Sequence, residues 1–310
     1  MSLPTVATVV GSGTMGPGIA ATLKRAGVQV RVYDISAEAL QRAEKTFAMA
    51  EKVLEGLGGV ANEGGSIAFL DQLDAALEGT EYVIEAVPEK VELKEQVHRE
   101  IEERIGEDVI IATNTSGIPI TTMAAVMKHP GRFVGMHWSN PPHLIPMIEV
   151  IPGEQTDEKV VERVREIVTA FGYHPVLEKE IAGFIENRVL YAIMRECVAL
   201  VQAGIATQED LDTCVKWGIG YKLSVVGPMR LLDMAGLDIY QSVSGYLNKE
   251  LDASTDTPQV VKDLIADGKL GFKTEGGMYS YGPGDVDATR GAIVQGLIAA
   301  RKALQTIPSV

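Results

Sequence analysis

Gly11, Gly13 and Gly16 form the pattern G-x-G-x-x-G, a spacing that suits a phosphate group. The pattern follows a β-branched run, Thr5–Val10, and opens a segment with helical spacing, Thr14–Ala26. In this context the glycines permit a tight turn, close approach of a pyrophosphate, and close packing of helix on strand. Free N–H groups at a helix N-terminus then favour the anion. The sequence predicts a dinucleotide site formed by Gly11, Gly13, Thr14, Met15 and Gly16.

Asp34 stands at the end of the next predicted strand, Val28–Tyr33. A carboxylate at this place accepts hydrogen bonds from the ribose hydroxyls of an adenosine and repels a 2′-phosphate. Ile35 and Ser36, which follow, provide no arginine that would compensate. The residues therefore predict NAD rather than NADP. The alternative is that Asp34 only caps the next helix, for which Ser36 is another candidate.

The elements that must position these residues form an alternating pattern. Strands that alternate with helices predict βαβ units, and hence an α/β, Rossmann-like doubly wound sheet that is covered by helices on both faces. Helices are predicted from about Ser36 to Leu57 and over Val91–Arg104. Further strands are predicted at Tyr82–Glu85, Val109–Ala112, Phe133–Met136 and Met147–Ile151.

After Ile181 the pattern becomes helical, and the last strand is predicted near Val176–Glu178. Because the character changes between Glu180 and Gly183, we expect two domains: 1–181, which binds the dinucleotide, and 182–310, which is all-helical. The glycine- and proline-rich segment Gly268–Gly284 is expected to be a loop. The helices of the second domain are predicted at Gly183–Ala203, Gln208–Trp217, Met229–Asn248 and Thr257–Asp267.

Composition excludes several classes of partner. Lysine and arginine total 28 against 42 aspartates and glutamates, which gives a net charge of −14. Such a surface repels nucleic-acid phosphates and anionic membranes, so neither is an expected partner. The only cysteines, Cys197 and Cys214, lack metal-ligand spacing, and no metal is predicted. No apolar run is long enough to span a bilayer, and with no signal peptide evident we expect a cytoplasmic protein.

Over almost its whole length the sequence resembles the 3-hydroxyacyl-CoA (3-hydroxybutyryl-CoA) dehydrogenases. The likeness rests on several segments that occur in one order, which is more specific than any one of them. They are Gly11–Gly16, Glu85–Glu89, Asn114–Ser116, His137 through Asn140-Pro141 to Glu149, Gly183–Arg188, Gly227-Pro228 with Leu231–Asp233, and Gly268–Gly271 through Lys273-Thr274 to Tyr281.

The resemblance implies the catalytic residues. His137 would be the general base in the oxidative direction, and Glu149 would hold its imidazole and stabilise the imidazolium. Ser116 and Asn187 would bind the substrate oxygen and the histidine region. The chemistry is sensible on its own terms, because histidine can move a proton in both directions near neutral pH and a carboxylate behind it fixes the tautomer. The same resemblance places Ala86, Glu89, Lys94, Asn114, Asn140 and Lys273 in the cofactor cleft.

The resemblance also implies that the helical domain forms a homodimer. Apolar positions such as Leu231, Leu232, Met234 and Leu237 are more than one small domain needs. Of the remaining histidines, we interpret His98, His129 and His174 as structural.

The residues expected at the substrate depart from the family. Where the family has two phenylalanines after the histidine, this chain has Trp138 and Ser139, and Pro146 replaces a lysine. The usually lysine-rich helix after the second strand is acidic on balance. These changes resemble an offshoot that includes bacterial dehydrogenases of vitamin B6 breakdown, which act on hydroxypyridine carboxylates. A 3-hydroxyacyl-CoA remains the formal assignment. The alternative is a small carboxylate bound by Ser116, Trp138, Arg188 and Lys222.

Two further classes of NAD-binding protein are alternatives. The 6-phosphogluconate and 3-hydroxyisobutyrate dehydrogenases share the glycine loop but use a lysine on the long interdomain helix, and Gly183–Leu190 has none. A non-catalytic NAD-binding protein, such as a crystallin, is the other. Retention of Ser116, His137, Glu149 and Asn187 together argues for an enzyme.

Overall fold

An eight-stranded sheet organises the first half of the chain, as described by a computed structural model of residues 3–307. The strands appear in the order β3-β2-β1-β4-β5-β6-β7-β8 across the sheet. All neighbours are parallel except β6 and β7, which are antiparallel. The strands are β1 Val6–Val10, β2 Gln29–Tyr33, β3 Ser66–Leu70, β4 Tyr82–Glu85, β5 Ile110–Thr113, β6 Phe133–Trp138, β7 Met147–Pro152 and β8 His174–Leu177.

The strand order reverses at β1, which lies between β2 and β4. In an open parallel sheet such a switch point leaves a crevice at the carboxyl ends of the strands, and ligands bind there. The glycine loop follows β1, Asp34 follows β2, and Asn114 follows β5, so all three reach this edge. The sequence-based prediction of an α/β, Rossmann-like doubly wound sheet is confirmed.

Helices cover the sheet and bury its apolar faces. Helix α1, for example, buries Ile19 and Leu23 completely and packs on α2. Its first turn includes Pro17, whose missing N–H and fixed φ suit a helix start. The helices of this part are α1 Gly16–Arg25, α2 Ala37–Leu57, α3 Leu73–Leu77, α4 Val91–Glu102, α5 Ile120–Ala124, α6 Glu158–Ala170 and the beginning of α7 Phe184–Gln202.

Two compact units divide the chain, one extending to Arg188 and the other beginning at Val189, within α7. The expected boundary at 181/182 lies shortly before α7 begins. The second unit is helical, with two isolated bridges among Gly271, Gly276 and Ser280. After α7 its helices are α8 Gln208–Cys214, a π-helical turn Val215–Gly220, α9 Tyr221–Leu223, α10 Pro228–Ala235, α11 Leu237–Leu247, α12 Gln259–Ala266 and α13 Asp285–Leu304.

Several features differ from the expected elements; helices α3, α5 and α6, for example, were not predicted. The single helix expected over Met229–Asn248 is broken at Gly236, whose φ of 98° ends α10. Strand β3 was not expected either; it lies at the edge of the sheet, and its residues after Ser66 are only partly buried. Helix α13 was also not predicted; most of its residues are exposed, and Val286 is buried. No helix in the described part of the chain is long and apolar enough to cross a membrane.

Candidate active site

The glycine loop has the geometry that a bound pyrophosphate needs. Gly11 has a φ of 110°, and a Cβ there would lie 2.6 Å from the carbonyl oxygen of Ala86. A Cβ on Gly16 would lie 2.1 Å from the Gly11 oxygen, so loop and helix approach closely. Gly13 faces open space and is exposed. Because Met15, the N-cap of α1, makes no side-chain capping bond, no capping side chain occupies the helix N-terminus, which is suited to an anion.

Asp34 is held in place by both of its carboxylate oxygens. Oδ2 accepts hydrogen bonds from the backbone N–H and the hydroxyl of Ser12 at 3.0 and 2.7 Å, and Oδ1 accepts one from the Ser36 N–H at 3.0 Å. Ser36 itself caps α2, because its hydroxyl oxygen accepts from the Ala39 N–H at 3.2 Å. The alternative in which Asp34 is only the helix cap is therefore wrong. Its carboxylate stands beside the glycine loop, where a ribose would lie.

Glu89 orders the loop that follows β5. Its Oε1 accepts hydrogen bonds from the Thr115 hydroxyl at 2.5 Å and the Ser116 N–H at 2.8 Å. The side chain is 41% exposed, so it remains open to a ligand. Ala86 is half-buried, and its N–H donates to the Val10 oxygen at 2.7 Å, which ties the end of β4 to the end of β1.

Lys94 requires a correction, because its side chain is completely buried rather than exposed in the cofactor cleft. Its ammonium lies 2.7 Å from Oε1 of Glu85 and 3.5 Å from Oε2 of Glu89. The ammonium of Lys94 therefore forms ion pairs with both Glu85 and Glu89. The sequence could not show this, since a lysine in a charged helix is usually on the solvent side.

Glu85 is the centre of this buried network. Besides Lys94, it accepts the Thr113 hydroxyl at 2.6 Å and contacts His98 Nε2 at 3.0 Å. Burial alone would raise the pKa of Glu85, but the hydrogen bond from His98 and the Lys94 charge outweigh it and lower the pKa to about 2. His98 is thus a structural partner of Glu85, in agreement with its interpretation as a structural residue.

His137 and Glu149 are direct partners across the antiparallel pair of β6 and β7. Nδ1 of His137 lies 2.7 Å from Oε2 of Glu149, and both residues are buried. A carboxylate only accepts, so Nδ1 carries the proton and Nε2 is left for a substrate. Burial would raise the pKa of Glu149, but hydrogen bonds from His137 and from the Glu186 N–H, at 2.7 Å, lower it overall. Glu149 therefore remains a carboxylate that stabilises an imidazolium.

The topology brings this pair to the cofactor edge of the sheet. β6 runs parallel to β5, so His137, near the carboxyl end of β6, lies at the same edge as Asn114. β7 runs the opposite way, which places Glu149, near its beginning, at that edge as well. Asn114 is linked directly to β6, because its Oδ1 accepts from the Trp138 N–H at 2.9 Å.

The structure also brings Asn187 to Ser116. Nδ2 of Asn187 donates to the backbone oxygen of Ser116 at 3.2 Å, which ties the start of α7 to the loop after β5. The Ser116 side chain is exposed and available to a substrate. Asn140 is exposed at the end of β6 and precedes a cis peptide bond to Pro141.

We expected Trp138 to face the substrate, but its side chain points into the core. Neighbouring residues of a strand point to opposite faces, so Trp138 points away from His137. Only 1% of the residue is exposed, and its indole packs on Phe171 and Tyr173 with ring centroids 6.1 and 5.8 Å away. Its role is in the core beneath α6.

Ser139 and Glu186 meet beside the histidine, a contact that the sequence did not reveal. The Ser139 hydroxyl donates to Oε1 of Glu186 at 2.5 Å, and the Glu186 N–H is the donor to Glu149. This contact was partly predictable from the sequence, because Ser139 stands where the family has a phenylalanine. Glu186 was visible only as a charge in the first turn of α7, a common position for an acidic residue.

The basic side chains predicted near the substrate and cofactor differ in what the structure shows of them. Arg188 is exposed and donates to the Ala182 oxygen at 3.2 Å, and within residues 3–307 it forms no ion pair. Lys222 and Lys273 are exposed residues of the second unit, and their places in the substrate and cofactor sites stay predictions.

His137, Glu149 and Glu186 each offer one atom that could bind a metal ion, and these three atoms lie within 4.8 Å of one another. Hydrogen bonds account for this clustering. His137 and Glu149 bond to each other, and Glu186 bonds through its N–H to Glu149 and through its carboxylate to Ser139. We interpret the group as an acid–base unit.

Comparison with known proteins agrees with this geometry. Residues 6–181 match the NAD-binding domain of 3-hydroxyacyl-CoA dehydrogenase, and residues 183–281 match its C-terminal domain. The chain belongs to the 3-hydroxyacyl-CoA dehydrogenase family. It is therefore an NAD-dependent dehydrogenase that acts on hydroxyl or aldehyde groups, and the glycine loop and Asp34 fit that cofactor.

Two relatives represent the two branches that the sequence suggested. A 5-formyl-3-hydroxy-2-methylpyridine 4-carboxylate 5-dehydrogenase from Mesorhizobium japonicum is 48% identical over 300 residues, which cover 96% of this chain and 97% of the relative. The mitochondrial hydroxyacyl-coenzyme A dehydrogenase of Homo sapiens is 33% identical over 288 residues, or 88% of this chain and 90% of the relative.

A solved structure resembles the whole chain. It is a crystal structure of 5-formyl-3-hydroxy-2-methylpyridine 4-carboxylic acid 5-dehydrogenase, described as an NAD+-dependent dismutase. The TM-score is 0.95 at 46% identity, with 98% of this chain and 99% of that chain covered. The resemblance to the vitamin B6-degrading offshoot is thereby supported.

Proposed function

We propose that this enzyme oxidises the formyl group of a small hydroxypyridine carboxylate with NAD, using His137 as the general acid/base. The observation that carries the acid/base assignment is the 2.7 Å hydrogen bond between His137 and Glu149 at the cofactor edge of the sheet. The substrate class rests on the 48% identical relative, whose name states that it acts on such a compound and whose likeness extends over 96% of this chain.

The residues divide the chemistry as follows. For an aldehyde the reacting species is the hydrate, which carries both a C–H bond and a hydroxyl on one carbon. NAD, when bound, supplies the hydride acceptor. Nε2 of His137 takes the hydroxyl proton, and Glu149 stabilises the resulting imidazolium. A hydrate that loses a hydride and a proton becomes a carboxylic acid. Ser116, held by Glu89 and Asn187, is exposed beside the site as a donor to the substrate oxygen.

Charge supports a small substrate over an acyl-CoA. The chain carries a net charge of −14, which disfavours the phosphates of CoA. On α2, the element that is lysine-rich in the family, Glu38, Glu44 and Glu55 are exposed beside Arg42, Lys45 and Lys52, and Glu51 is paired with Lys24 at 2.5 Å. The helix therefore presents no net positive surface to a polyanion.

The proposal is tested by comparing kcat/KM for pyridine carboxaldehydes with NAD and for acetoacetyl-CoA with NADH. We expect the hydroxylated pyridine carboxaldehyde carboxylates to be preferred. A kcat/KM for acetoacetyl-CoA of about 10⁴ M⁻¹s⁻¹ or more, in the usual enzymatic range, would refute the small-carboxylate proposal and favour the acyl-CoA assignment. If the unmodified protein binds NADH but turns over neither substrate class, the result would favour a non-catalytic role.

We also propose that the second unit forms a homodimer. Among its described residues, Val286 is the only hydrophobic residue that is buried. Large apolar side chains are exposed on α10 and α11, including Met229 and Met234 at 71% and Leu237 at 61%. A helical unit with so little core of its own gains stability by covering these residues with a second copy.

A further inference from the structure

Glu178 is a buried acid for which the chemistry above provides no role. It follows β8 directly, and its N–H donates to the Val150 oxygen at 3.2 Å, which continues the pairing with β7. The residue is only 8% exposed, and its carboxyl group meets the carboxylate of Glu149 and the backbone N–H of Ile185. Two buried carboxyl groups side by side cannot both be ionised without a large cost, so a second acid directly beside the catalytic pair affects its charge.

The groups that face Glu178 come from three other elements. Glu149 on β7 has the strongest effect, the start of α7 contributes the backbone N–H of Ile185, and His137 on β6 acts more weakly. No lysine or arginine in the described part of the chain pairs with it, and Lys179 beside it is exposed. Burial, followed by the charge of Glu149, raises the pKa of Glu178 to about 7.

We propose that Glu178 is a positioning residue that sets the charge behind the His137–Glu149 pair. While Glu178 holds a proton, Glu149 is the single negative charge that faces the imidazole. When Glu178 loses that proton to solvent, a second negative charge stabilises the imidazolium and makes His137 a stronger base and a weaker acid. Oxidation would then require a higher pH, and the imidazolium that reduction needs would persist to a higher pH, than without the charge of Glu178. This inference rests on the proposed acid/base role of His137.

The direction of the effect follows from the charges. Oxidation requires a neutral imidazole in the free enzyme–NAD complex, and reduction requires an imidazolium. A negative charge on Glu178 favours the imidazolium, so it moves both requirements to higher pH. Glu178→Gln removes that charge. We therefore expect the acid limb of kcat/KM for oxidation, and the alkaline limb for reduction, to move to lower pH by about one unit.

The experiment compares pH profiles of the unmodified enzyme, Glu178→Gln and Glu180→Gln. Glu180 is a matched control two residues away, whose Oε2 accepts from the Thr121 N–H rather than facing the pair. We expect only Glu178→Gln to move both limbs. A structural defect would lower kcat without a common shift of the limbs. Profiles of Glu178→Gln that coincide with those of the unmodified enzyme and of Glu180→Gln would overturn the inference.

A second measurement needs no variant. Of the glutamates whose pKa is displaced, Glu85, Glu102 and Glu149 are lowered and Glu178 alone is raised. In protein labelled with ¹³C at the glutamate carboxyl, we expect one resonance to titrate near pH 7. If no glutamate carboxyl titrates above about pH 6, Glu178 cannot act as proposed, even where Glu178→Gln fails to fold. Turnover by His137→Gln would instead contradict the proposed function and leave the titration of Glu178 unaffected.

Discussion

Nδ1 of His137 lies 2.7 Å from Oε2 of Glu149 because the two residues are directly paired across β6 and β7. The antiparallel hairpin converts a separation of twelve residues into a contact between two side chains on one face of the sheet. The parallel run from β1 to β6 brings the same edge to the glycine loop. The catalytic pair and the cofactor loop are therefore positioned by backbone pairing within the sheet.

His137→Gln should lower kcat by about 10²–10⁴-fold, the usual contribution of a general acid/base. Glu149→Gln should cost less, because the imidazole remains and only its orientation and charge partner are weakened. Steady-state rates with the preferred aldehyde check both.

NADH binding, monitored by fluorescence, serves as the control that each variant remains folded. The affinity for NADH should be within a few-fold of that of the unmodified enzyme, because neither side chain contacts the glycine loop. A His137→Gln rate within a few-fold of the unmodified rate would rule out the proposed chemistry.

The cofactor half of the site was predictable because its signals are local. A glycine that needs a positive φ, and an acid at the end of the next strand, can be read from short stretches, and both Gly11 and Asp34 have the expected geometry. The substrate half was harder. Whether Trp138 faces the site or the core depends on the exact strand register, and whether Lys94 is exposed depends on Glu85 across the helix–sheet contact. These are long-range properties that a pattern does not carry.

Asp34→Ala should narrow the preference for NAD over NADP. The carboxylate that accepts from Ser12 also repels a 2′-phosphate, and removing it removes that repulsion. We expect kcat/KM for NAD to fall while that for NADP changes little or rises. Asp34→Asn keeps the shape and an acceptor oxygen, so it separates the effect of charge from that of hydrogen bonding. Equal use of NADH and NADPH by the unmodified enzyme would show that Asp34 does not select the cofactor.

The buried network around Glu85 should make the first unit sensitive to acid. The pKa of Glu85 is lowered to about 2 in the folded protein, so the group contributes stability above its unfolded pKa of about 4.5 and loses it as the pH falls towards 2. A depression of that size corresponds to about 3 kcal/mol at neutral pH. The free energy of unfolding of Glu85→Gln should therefore lie well below that of the unmodified protein at pH 7 and approach it below about pH 4.

Urea unfolding followed by circular dichroism at several pH values measures this difference. Glu92→Gln, which removes an exposed carboxylate from the first turn of α4, is the matched control and should change stability by about 0.5 kcal/mol or less. A difference between Glu85→Gln and the unmodified protein that is independent of pH would mean that Glu85 stabilises the fold without its charge.

The exposed apolar face of the second unit should be covered by a second copy of the chain. Met234 and Leu237 flank Gly236, where α10 ends and α11 begins, and both are more than half exposed. Replacing both by lysine places two positive charges in the proposed interface, where their desolvation opposes association. We expect the unmodified protein to scatter light as a dimer at micromolar concentration and the double variant to be monomeric or unfolded. The control is the double variant Asp233→Lys and Asp238→Lys. Both positions are already polar, so this variant should leave the dimer intact. An unmodified protein that scatters light as a monomer at micromolar concentration would contradict the prediction.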